Sequence, residues 1–171
     1  MVITQLVRIV VQSVLALQPA LAPTLPAGPD LVPFEQLVAK PGAYLGKTVS
    51  TYVQFHSELE TWEAGMTRFL PSRYVGCQVW SDDQLPWRHE DYLAPAGLLY
   101  LSRDSAEMAD FARAEPHQRW LVRCTVRELF GGQTWIDVDR IIPSRHSIPE
   151  GTVLHAIRAG QLVDRHAWSL A

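Results

Sequence analysis

The sequence predicts a mainly β protein, a five-stranded barrel in the order β-β-β-α-β-β. Three observations carry this. A well-registered hairpin closes the chain's β region, three strand-like runs precede it, and one short helical segment separates the two groups.

The hairpin is the clearest element. In Arg119–Glu128, Trp120, Val122, Cys124 and Val126 share one face, and Arg119, Leu121, Arg123, Thr125 and Arg127 share the other. A period of two with a β-branched core is a half-buried strand. The second arm, Thr134–Ile141, puts Ile136 and Val138 on one face and Trp135, Asp137 and Asp139 on the other. Directly opposed residues point to the same side of a sheet. A two-residue loop at Gly131-Gly132 would set Val126 opposite Asp137 and Cys124 opposite Asp139 and bury carboxylates, which is costly. A three-residue loop, Phe130-Gly131-Gly132, or a five-residue one of the same parity, is therefore expected. It sets Val126 opposite Ile136, Cys124 opposite Val138, Arg123 opposite Asp139, Thr125 opposite Asp137 and Arg127 opposite Trp135. The arginine row could be a phosphate-binding stripe. Its alignment with the aspartates favours a solvated face of cross-strand ion pairs with one cation–π contact.

The preceding elements read in order. Residues 18–33 hold five prolines, the mark of an extended linker. Phe34–Lys40 is a short helix started by Pro33 and stopped before Pro41. Thr48–His56 is the first strand, with Val49, Thr51, Val53 and Phe55 on one side. Thr67–Trp80 is the second, broken or bulged near Pro71, and Gly97–Ser102 the third, apolar on both faces. Ser81–Pro95 is a long polar loop. Asp104 or Ser105 caps a helix through Ala114 that buries Met108, Phe111 and Ala112 and is ended by Pro116. A helix between strands three and four, plugging the barrel bottom, is the arrangement of an OB-fold; an open α+β sheet is the alternative. Ser147-Ile148-Pro149-Glu150 starts a C-terminal helix, with Ser147 as its cap. The predicted organisation is a signal peptide and linker start over 1–27, linker and short helix over 28–46, the barrel over 47–143, and a helical extension over 147–171.

Composition narrows the function. The first 22 residues contain one charge, Arg8; the rest has 14 basic and 18 acidic residues, a net charge of −4. This argues against a non-specific nucleic-acid binder. Leu6–Leu17 is mostly apolar and Ala20-Leu21-Ala22 resembles a signal-peptidase site, so export to the periplasm or exterior is expected, with no stable membrane span afterwards. The alternative is an amphipathic helix packed on the domain, in a cytoplasmic protein. Cys77 and Cys124 both face inward, on strands separated by the first strand. Two strand spacings are about 9.6 Å, beyond the roughly 7 Å reach of a disulfide, so two buried free thiols are expected.

The pieces Pro41-Gly-Ala-Tyr44-Leu-Gly46-Lys47-Thr-Val49, Arg119–Arg127 and Thr134–Asp139 resemble uncharacterised bacterial OB-fold proteins of the tRNA-anticodon-domain-like kind, over residues 34–142. The resemblance implies an OB barrel and nucleic-acid or oligosaccharide binding. It transfers no site residues.

No nucleophile with a nearby base can be named, and no phosphate-binding glycine loop or Cys-x-x-Cys is present, so no enzyme, cofactor or metal is expected. His56, Glu58 and Glu60 alternate and could present three ligands, but scattered histidines are more often surface residues. Aromatics are the better clue. Tyr52 and Trp80 are placed on outward strand faces, and Trp62 and Trp87 in long loops. OB barrels bind through strands two and three and the flanking loops, and exposed aromatics stack bases or sugars. The competing reading, weighed more heavily, is that Trp62 and Trp87 fold back over the barrel mouths. The expected function is a non-catalytic exported module that binds a small ligand or partner protein. Its alternatives are a cytoplasmic module for single-stranded nucleic acid and a scaffold piece docked through the C-terminal helix.

Overall fold

The computed structural model describes residues 30–145 and 147–166. The expected signal segment lies outside the described residues. Among those described, no helix is long and apolar enough to cross a membrane.

Helix α1 (Phe34–Ala39) and a 3₁₀ turn (Pro41–Ala43) lead into β1 (Thr48–Leu59). Then come β2 (Tyr74–Ser81), α2 (His89–Leu93), β3 (Gly97–Ser102), α3 (Met108–Phe111), β4 (Arg119–Phe130), β5 (Gln133–Pro143) and α4 (Glu150–Asp164). The strands close into a barrel in the order β1-β2-β3-β5-β4. Every pair is antiparallel except β3 with β5. β1 runs past its expected end at His56 because a bulge there bends it: Phe55 opposes Val79 and Ser57 opposes Gln78. One strand can then pair with β4 along its first half and β2 along its second.

The first half of β1 has its other edge covered by the chain leading into α1. Ser50 N–H donates to Asp30 O at 2.9 Å, and Val32 N–H donates to Ser50 O at 2.8 Å. The interior holds the predicted alternating set, among it Val49, Val53, Phe55, Val122, Cys124, Val126, Ile136 and Val138. Cys77 and Cys124 are buried, unbridged and on the two strands flanking β1, as the spacing argument required. α3 is shorter than expected. It still delivers Phe111 edge-on to Phe55 at 6.0 Å, while Phe55 stacks on Trp120 at 4.8 Å, so the barrel end is plugged by three rings. The fold is an OB-fold-like barrel.

The hairpin meets its parity constraint by another device than the one predicted. Phe130 pairs with Gln133, so the loop is the two-residue Gly131-Gly132, both at positive φ (63° and 74°), as a primed turn requires. One bulge restores the expected parity for Ile136 and Val138, and a second shifts the register again so that Val122 meets Ile141. Arg127 is extra between Val126–Ile136 and Glu128–Trp135, and Asp139 is extra opposite Arg123–Cys124. The pairs Val126–Ile136, Cys124–Val138 and Thr125–Asp137 hold. Arg123 keeps its ion pair with Asp139 at 2.8 Å, although its register partner is Arg140. Arg127 pairs with Asp137 at 3.1 Å and not with Trp135.

Other corrections have local causes. Residues 67–73 form turns and not the start of a strand, because they fold back over β2 and β3. The 81–95 loop contains α2. Ser147 does not cap α4, whose first flanking residue is Pro149; its hydroxyl donates to Glu115 Oε2 at 2.7 Å and ties the connection to the barrel.

Candidate functional site

An OB barrel's usual binding surface is the outer face of β2 and β3 between the β1–β2 and β4–β5 loops. In this chain that face is covered by its own β1–β2 loop. Phe69, Tyr100 and Trp135 form a second buried cluster there, with Trp62, Tyr74 and Leu98 against it. Trp62 lies 5.3 Å from Tyr100, and its Nε1–H donates to Phe69 O at 2.8 Å. Gly76 leaves room for the loop. A Cβ there would come within 2.8 Å of Leu59 and 3.3 Å of Trp62. The β1–β2 loop also reaches the end of β4, by Arg68–Glu128 at 2.6 Å and by Phe130 lying over Gly65. This is why β3 is apolar on both faces, and why Trp135, outward by alternation, is buried.

Trp80 is outward by alternation but only 1% exposed. Its indole is covered by His117, stacked at 4.8 Å, by His56 at 4.5 Å and by Tyr92 at 5.8 Å, and Nε1–H donates to Asp91 O at 2.9 Å. It offers no free face to a ligand, which corrects its placement as a contact residue. His117 is itself 3% exposed, sits at φ 65°, and has no hydrogen-bond partner at either ring nitrogen among the described residues. Burial pushes its pKa below the ordinary imidazole value; nearby Glu150 opposes this and His56 adds to it. His56 is engaged by Ser57 at 2.6 Å. Among the described residues no group of three or more His, Cys, Asp or Glu side chains is placed to hold a metal.

Trp62 therefore folds back, whereas Trp87 stays 45% exposed. The four aromatics are not brought together. Tyr52 borders open concave surface. It lies between two depressions, one of about 400 Å³ and one of about 210 Å³. The larger is walled by Leu31, Pro33, Phe34, Glu35, Asp82 and Asp83, and the smaller by Arg119, Leu121, Ile142 and Pro143. The larger falls within the range of small-ligand sites. Arg119 lies 3.8 Å over the Tyr52 ring and is forked by Asp82 at 2.5 and 2.8 Å. This cation–π contact replaces the one expected at Trp135.

Sequence reasoning missed Arg119 as Tyr52's partner, along with Leu31 and Glu35. Arg119 and Asp82 are 37 residues apart and no local pattern joins them. Leu31 lay in a stretch read as linker; its pairing beside Ser50 is a tertiary event.

These features define the class, an OB-fold-like barrel whose usual binding face is occupied by its own loop and whose open groove lies over β1. No family model matches the sequence. No curated protein matches it either. Among solved structures, it is similar to a protein assigned as an aspartyl-tRNA synthetase from Leishmania major Friedlin, at 12% identity and a TM-score of 0.45. That match covers 84% of this chain, which spans only 27% of the other.

Proposed function

We propose that this chain is a non-catalytic, exported binding module that takes a ligand or partner protein in the groove over β1. The observation that carries the reading is Tyr52, set between two depressions and backed by Arg119 and Asp82. The β2–β3 face, by contrast, has its rings packed against one another. Arg119, Arg123 and Arg127 are each engaged by an aspartate, which weighs against a phosphate-binding stripe. The apolar N-terminal segment supports export.

The test is amide NMR on the ¹⁵N-labelled protein with a fragment mixture and, separately, a single-stranded oligonucleotide at low salt. Fragment-induced shifts should cluster at Leu31, Tyr52 and Ile142. Shifts clustering at Trp62 and Tyr100 with the oligonucleotide would overturn the reading in favour of nucleic-acid binding. Intact mass of the protein recovered from its host checks export; a full-length cytosolic product refutes that part.

A further inference from the structure

His117 lines neither depression beside Tyr52, yet it is the most tightly enclosed imidazole among the described residues. It is 3% exposed and lies flat on Trp80, with ring centroids 4.8 Å apart and planes 12° apart. Neither ring nitrogen has a hydrogen-bond partner among the described residues. A neutral imidazole carries one N–H and an imidazolium two. Protonation therefore adds a charge and a second donor where no acceptor is placed. The residue sits in a turn at φ 65°, and its backbone N–H donates to Phe55 O at 2.8 Å. Two further elements close over the stack. α2 brings Tyr92, 5.8 Å from Trp80 and 6.1 Å from His117, and Asp91 O, which accepts from Trp80 Nε1–H at 2.9 Å. α4 brings Glu150, which accepts from the Tyr92 hydroxyl at 3.4 Å.

We propose that the His117–Trp80 stack is a pH-sensitive latch: protonation of His117 drives its ring out to water, loosens α2 and the start of α4 from the barrel, and uncovers the Trp80 indole on the outer face of β2. The charged groups that act on His117 are Glu150 on α4, which favours the cation, and His56 on β1, which opposes it. The other titratable groups around it are engaged. The Asp91 carboxylate on α2 accepts from Leu85 N–H at 3.1 Å, and Glu115 on the turn that carries His117 accepts from the Ser147 hydroxyl. Burial outweighs the pull of Glu150, so the closed ring holds a proton less readily than a free imidazole. The open ring, in water, titrates near about 6.5. Opening therefore gains from each step of acid below that value. For one proton the gain is at most about tenfold between about pH 7.5 and 5.5. The latch is independent of the groove over β1.

The experiment follows hydrogen exchange by NMR on the full chain at graded pH and low urea, corrected for the intrinsic rates. The reporters are the Trp80 indole N–H and the His117 amide; Val122 and Cys124 amides on β4 report global unfolding. The latch pair should exchange faster than the β4 pair and with little dependence on urea, the mark of a local opening. Their protection should fall several-fold, up to about tenfold, from about pH 7.5 to 5.5. His117→Asn keeps a residue that tolerates positive φ and removes the titrating ring, so the acid loss should vanish. In His56→Gln it should persist. Latch reporters that share the protection and urea slope of the β4 amides overturn the proposal, because the stack then opens only when the whole chain unfolds. Protection of the latch pair that does not change with pH overturns it as well. An acid loss kept in His117→Asn and lost in His56→Gln moves the switch to His56 and overturns the assignment. The ring of His117 in the unaltered protein gives a check that needs no variant: an apparent pKa at or above about 6.5 overturns the proposal.

Discussion

Trp62 and Trp87 are both loop tryptophans by sequence, and their replacement by alanine should separate them sharply. Trp62 packs on Tyr100 and over Gly76, and donates to Phe69 O at 2.8 Å. Truncating a fully buried tryptophan costs about 3–5 kcal/mol. Trp62 is half-buried, so the packing loss is about 2 kcal/mol. Its hydrogen bond adds about 1 kcal/mol. At about 2–4 °C per kcal/mol for a chain of this size, Trp62→Ala should lower Tm by about 6–12 °C. Trp87 is 45% exposed and has no hydrogen bond to its indole among the described residues, so Trp87→Ala should stay within about 0.5 kcal/mol. Differential scanning calorimetry of the three proteins reads both. Equal shifts, or a Tm for Trp62→Ala within about 2 °C of the parent, would refute the closure of the β2–β3 face by its own loop.

Other expectations follow from buried groups and from the turn. Burial holds the His117 pKa below its unfolded value, so the unfolded chain takes up the proton first; stability should be full above about pH 6.5 and fall as pH drops through the window below it. His117→Phe should flatten this limb in urea titrations at graded pH, and an unchanged limb would assign it elsewhere. Burial raises both thiols to about 12; a thiol reagent at pH 8 should find none in the native protein and two after unfolding without reductant. Gly131→Val puts a β-branched residue at φ 63° and should cost about 1 kcal/mol or more, whereas Gly131→Asn should be nearly neutral by thermal unfolding.

Alternation was the legible signal. It assigned the inward faces of β1 and β4 and the pairs Val126–Ile136 and Cys124–Val138, because a one-residue slip would bury aspartates. Parity was therefore readable, but the way it is kept was not. A bulge at Arg127 and a three-residue loop satisfy the same rule, and the two-glycine primed turn with a bulge is what forms. Exposure of the outward residues was less readable still. Alternation says which side of the sheet Trp80 and Trp135 occupy, not whether a second layer covers it.

The sequence by itself determined the barrel: strand number, inward residues, helix position and the separation of the two cysteines. These follow from periodicity and local chemistry, which act over neighbouring residues. The tertiary structure alone decided which surface is open. It folded residues 60–73 over β2 and β3, laid His117 on Trp80, and brought Leu31, Tyr52, Asp82 and Arg119 to one groove. Such contacts join segments tens of residues apart, and only chain closure brings them together.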